Sequence, residues 1–122
     1  MENSSSNIIL EKTFVFSVRI VKLYQWLRTN HRDIDSLAKQ VLRSGTSIGA
    51  NVEEAVGAFS RKEFASKIGI SYKEARETLY WLRLLKATDY LDDKLYTSIY
   101  SDCDEIKKIL SSILKTTKEN ND

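Results

Sequence analysis

No proline interrupts the 122-residue chain, and it holds only 4 glycines. Long helices are therefore permitted along almost its whole length, because nothing removes a backbone donor or favours a break. The apolar residues use that freedom. From Ile9 onward, Phe16, Ile20, Leu23 and Leu27 recur at spacings of four, three and four, the stripe of a helix packed lengthwise against others. Phe14, Val18 and Val21 form a second apolar stripe beside it, so this helix is expected to be covered on more than one side.

A second helix starts at Asp33 in this reading, with Ile34, Leu37, Val41, Gly45, Ile48, Val52 and Ala55 on one face and Gly57 as its stop. In "SRKEF", Ser60 is placed to cap the amide three residues on while Glu63 reaches back, the capping box of a third helix. Phe64, Ile68, Ser71, Ala75, Leu79 and Leu82 line the inner face of that helix. Asp92 or Asp93 caps a fourth, with Leu95, Ile99, Ile106, Ile109 or Leu110, and Ile113 as its stripe. The predicted helices span about 8–30, 33–57, 61–87 and 93–117, followed by a polar tail at 118–122. At about 1.5 Å per residue each is roughly 33 to 39 Å long, and the short joints favour antiparallel neighbours. The expectation is one all-α domain over 1–122, an antiparallel up-down-up-down four-helix bundle.

The polar opening "MENSSSN" and the early Glu11 and Lys12 argue against a signal peptide. No stretch approaches the run of about 18 apolar residues that a membrane helix needs. A cytoplasmic protein without a membrane partner is expected. The single cysteine, Cys103, lies between Asp102 and Asp104 and reads as an ordinary thiol on or near a helix surface. Nineteen basic against 17 acidic residues leave a net charge of +2, so no global field advertises a polyanionic partner.

"RSGTSIGANVEEA", residues 43–55, lies inside the second helix although glycine, serine and threonine are poor helix formers. Small residues there let a neighbouring backbone approach closely. On a wheel Arg43, Ser47, Asn51 and Glu54 form a polar stripe apart from the inward residues, with Gly49 and Ala50 between. The third helix has the complementary oddity. Ile70, Glu74, Glu77, Trp81 and Leu84 recur at four, three, four and three, so two carboxylates interrupt an apolar stripe that is expected to meet another surface.

Carboxylates in such a place are expected to be buried and paired, with Arg43 and Arg76 as the cations. In the favoured reading Arg43, Ser47, Asn51, Glu54, Glu74, Glu77 and Trp81 belong to a polar network that fixes helix register or a subunit interface. If the pair is buried, Arg43→Ala costs about 3 to 5 kcal/mol. A metal site is not expected, because di-iron bundles need Glu-x-x-His pairs and the one histidine, His31, stands outside any such motif. No nucleophile with a neighbouring base and no phosphate-cradling glycine loop is present, so neither catalysis nor a cofactor is expected. Tyr24, Trp26, Tyr72, Tyr80, Trp81, Tyr90, Tyr96 and Tyr100 read as core or interface residues in preference to base-stacking ones. Arg19, Lys22, Arg28, Arg32 and Lys39 are the candidate nucleic-acid contacts, a basic face on the first two helices that reads equally as a solvated one.

"QVLRSGTSIGANVEEA" followed by "SRKEFASKIGISYKEARETLYWLRLL" resembles the four-helix-bundle proteins encoded within intervening sequences of bacterial large-subunit ribosomal RNA genes. The resemblance runs from about Phe14 to Leu114. It implies an antiparallel bundle that assembles into a homopentamer with a central channel. It also implies kinship with the accessory protein of diversity-generating retroelements, a basic pentamer that binds nucleic acid and a reverse transcriptase. The near-neutral charge of this chain departs from that strongly basic relative. The functional expectation is a non-enzymatic homo-oligomer, with a nucleic-acid-binding adaptor as the alternative.

Overall fold

The structure, a computed structural model, describes residues 4–119. Four helices carry nearly all of them: α1 Ser4–Asn30, α2 Asp35–Val56, α3 Arg61–Ala87 and α4 Asp93–Glu119. The first begins four residues before its predicted start, and the last runs into the stretch expected to be a polar tail, whose residues 120–122 lie outside the described part. α2 begins at Asp35 instead of Asp33 because a 3₁₀ turn, Arg32–Ile34, takes up the reversal after α1. Two tyrosines pin that corner. The Tyr90 hydroxyl donates to Asp33 at 2.7 Å, and the Tyr24 hydroxyl to Asp35 at 3.4 Å.

Contacts between successive helices pair rising with falling residue numbers, as antiparallel neighbours must. Gly45 faces Ile20 and Gly49 faces Thr13 and Ser17. Ser71 donates to the Ile48 carbonyl at 2.8 Å, while Thr78 donates to Ser44 at 2.9 Å. Lys86 reaches Asp93 and Cys103 reaches the Ala75 carbonyl. α2 packs closely on both α1 and α3, whereas α1 and α4 touch least of the four adjacent pairs. No helix of the described residues is long and apolar enough to cross a membrane.

The core follows the stripes read from the sequence, joined by Ala38, Leu85, Leu91 and Cys103, while Ile34, Leu37, Leu95 and Ile113 are only half-buried. Phe16, Ile20, Leu23 and Leu27 of α1 meet Val41, Ile48, Val52 and Ala55 of α2 and Phe64, Ile68, Ala75 and Leu82 of α3, all buried. Ile99, Ile106 and Leu110 close it from α4. Local signals set the helix ends. Ser60 accepts from the Glu63 amide at 3.0 Å, and Asp92, the true cap of α4, accepts from the Leu95 amide at 2.8 Å. Gly57 ends α2 with a φ of −85°, using none of glycine's left-handed freedom. That conformation falls instead on Asp89, φ 68°, where the amides of Asp89 and Tyr90 return to the carbonyls of Lys86 and Leu85 and finish α3.

Cys103 is not a surface thiol. It is fully buried in the core, with its sulfur 3.5 Å from the Ala75 carbonyl oxygen. Burial, reinforced by the neighbouring Asp104 charge, pushes its pKa from 9.0 up to about 12. The native thiol is therefore expected to resist a disulfide reagent at pH 8 and to react only as the chain unfolds. Because the folded state holds its proton more tightly, this group's contribution is complete below pH 9 and declines as the pH rises toward 12. A steeper alkaline loss of stability in the parent than in Cys103→Ala checks the sign.

Candidate functional site

α2 and α3 place a set of charged side chains on the outside of their shared seam. Arg43 stands opposite the buried face of α2 and leans toward α3, where Glu74 and Glu77 follow one another at a spacing of three. Its Nη1 donates to Glu74 Oε2 at 3.1 Å, its Nη2 donates to Glu77 Oε2, and its Nε donates to Gln40 Oε1 at 3.3 Å. The Trp81 indole donates to the same Glu77 oxygen at 2.8 Å, one helical turn further along. A single guanidinium thus gathers two carboxylates, an amide and, through Glu77, an indole.

The other members of the expected network have partners elsewhere. Asn51 donates to the Ser47 carbonyl of its own helix at 2.8 Å. Glu54 pairs with Lys67 of α3 at 2.7 Å, and its carboxylate holds the Lys67 ammonium above the usual lysine range. Arg76 lies on the opposite flank of α3, beside Tyr72 and Tyr80. Gln40 and Lys67 join these pairs without having stood among the expected residues. Gln40 was detectable, since it stands three residues before Arg43 on one helix; Lys67 was not, because its pairing depends on the register between α2 and α3.

The carboxylates are also less buried than expected. The side chains of Arg43, Glu74 and Glu77 keep 49%, 19% and 32% of their surface exposed, so water screens the pairs. The cost of 3 to 5 kcal/mol that burial implies does not apply to the single subunit. Arg43→Ala is expected to cost it about 1 kcal/mol, a fall of about 3 to 5 °C in melting temperature for a chain of this size. A much larger loss that depends on protein concentration would show that assembly buries the cluster.

Beneath the charges the small residues have a packing role. Gly45 and Gly49 admit α1, while Ser44, Ser71 and Thr78 join α2 to α3 by buried hydrogen bonds. Among the described residues no group of His, Cys, Asp or Glu is arranged to hold a metal ion.

The basic residues of the first two helices do not converge. Arg19 turns toward α4 and binds Asp102 and Ser98, each at 2.7 Å. Lys39 pairs with Asp35 at 3.2 Å. Lys22, Arg28 and Arg32 are exposed. At about 100° per residue, Arg19 and Arg28 point to opposite flanks of α1.

α1 also carries an exposed apolar surface. Phe14, Val18 and Val21 remain 66%, 41% and 40% exposed along the stripe beside α2, and Ile8, Val15 and Trp26 are exposed toward α4. The second stripe expected to be covered is therefore open in the single subunit.

The sequence profile of the 23S rRNA-intervening sequence proteins matches residues 5–112. The chain belongs to that family. A solved structure from the S23 ribosomal protein family, a protein of unknown function from Bacteroides thetaiotaomicron, is 49% identical and superposes with a TM-score of 0.87. The match covers 91% of this chain and 98% of the other, so the family bundle and this one coincide over nearly their full lengths. No curated protein matches the chain.

Proposed function

We propose that this member of the family is a non-enzymatic subunit that assembles with copies of itself through the outer side of α1. The carrying observation is the row of exposed apolar side chains there, with Phe14 at its centre. An isolated subunit gains nothing by holding these residues in water, whereas a second copy would remove them from it. A net charge of +2 puts little repulsion between copies. The resemblance to pentameric bundles supports a count of five subunits.

The polar groups fit a structural role better than a chemical one. Arg43, Glu74 and Glu77 are satisfied by one another, and the buried Cys103 thiol is held in its unreactive protonated form. At the seam, the Arg43 cluster would lock the azimuth of α2 against α3 and so the shape presented to the next copy.

Light scattering on the purified chain tests the proposal. A closed ring of five copies of the 14.0 kDa chain gives about 70 kDa. A 14.0 kDa particle at micromolar concentration would overturn it.

A further inference from the structure

The face built by α3 and α4 has a different character. An open groove of about 420 Å³ runs between the two helices, lined by Tyr72, Arg76, Tyr80, Arg83, Tyr100 and Lys107 around the buried Leu79. Rings and cations alternate along α3, since Tyr72, Arg76, Tyr80 and Arg83 succeed one another at four, four and three residues. The two arginines stand seven residues apart, about 10 Å along the helix at ~1.5 Å per residue. The groove continues past Arg83 to Tyr96, whose ring lies 5.2 Å from that of Tyr100.

No carboxylate lines the groove itself. Lys107 is shared with Asp104 at 3.3 Å, but Arg76 and Arg83 are exposed, and among the described residues no acidic partner occupies either guanidinium. Here positive charge stands uncompensated beside accessible aromatic rings, and Tyr80 is 53% exposed. The chain's near-neutral total hides it, because ion pairs absorb cations elsewhere, including Lys12, Arg19, Lys39, Arg43 and Lys67.

We propose that the α3–α4 groove binds single-stranded nucleic acid. A phosphodiester strand supplies a repeating anion for Arg76 and Arg83, and its unpaired bases supply planar faces for the tyrosines between them. The groove is open along its length, as a passing strand needs. A duplex keeps its bases stacked on each other and offers the rings nothing, and an acidic peptide matches the charges but not the rings. The site lies on helices that do not include α1, so it stands or falls independently of the assembly surface.

Fluorescence anisotropy of a labelled 20-nucleotide oligothymidylate with the intact chain, at two salt concentrations, tests the assignment. Arg76→Ala with Arg83→Ala should weaken binding about tenfold and flatten the salt dependence by about 1.4 in log–log slope, the share of two phosphates on a single strand. Tyr80→Ala should weaken binding about fivefold or more without changing the slope. Lys62→Ala with Lys115→Ala removes the same charge from exposed positions outside the groove and should change little. Circular dichroism confirms that each variant is folded. Absence of binding by the parent, equal losses in both double variants, or equal affinity for a duplex with Tyr80→Ala silent would each overturn the proposal. Polyglutamate competing as well as oligothymidylate, again with Tyr80→Ala silent, would reassign the groove to acidic peptides.

Discussion

Gly45→Val is expected to destabilise the bundle by about 3 kcal/mol, lowering its melting temperature by about 10 to 15 °C. A Cβ at position 45 would lie 2.8 Å from Ile20 Cγ1 and 2.9 Å from Ile20 Cγ2. Ile20 is wholly buried in the core, so its side chain cannot swing aside and α1 itself must retreat. Even Gly45→Ala should lose, because the helix-propensity gain of about 1 kcal/mol is smaller than the overpacking it causes. Truncating the obstacle should relieve that penalty. In a cycle with Ile20→Ala, the double variant should lose less than the two single losses together. Gly69 is the internal control, since nothing lies within 4 Å of a Cβ built there. Gly69→Ala should raise stability by about 1 kcal/mol. Urea unfolding measures the five variants and the parent, and a Gly45→Val variant as stable as its parent would refute the close approach of α1 and α2.

The second large effect is expected from Phe14→Glu combined with Val18→Glu. Both side chains are exposed in the subunit, and glutamate is a better helix former than phenylalanine or valine, so the fold should survive. Association should not. Loss of apolar burial alone removes about 3 kcal/mol from each interface, more than a hundredfold in affinity, and each carboxylate adds a desolvation cost. Light scattering should show the particle falling to the 14.0 kDa chain while helical circular dichroism is retained. An unchanged mass would place the interface elsewhere on the bundle.

The contrast between the two tests follows from how each residue signals its position. The stripe of Phe16, Ile20, Leu23 and Leu27 was legible because periodicity belongs to one helix, and so was the Ser60 cap, whose partner amide lies three residues on. Cys103 was misplaced although its signal was present. Ile99, Cys103, Ile106 and Leu110 recur at four, three and four, but the flanking Asp102 and Asp104 are the mark of a solvated face. The left-handed turn at Asp89 carried no comparable signal, since several residues near the end of α3 had equal claim to it.

By itself the sequence determined the number of helices, their approximate spans and the face each turns inward, because those depend on interactions within one or two helical turns. Only the tertiary structure decided that Glu54 meets Lys67, that Arg19 meets Asp102, and that the first stripe of α1 is covered while the second is open. It also decided that tyrosines and arginines distant along the chain line one groove. Those outcomes depend on the axial register and rotation of one helix against another, which the contact of Gly45 with Ile20 and the packing around it set together, and no local pattern encodes them.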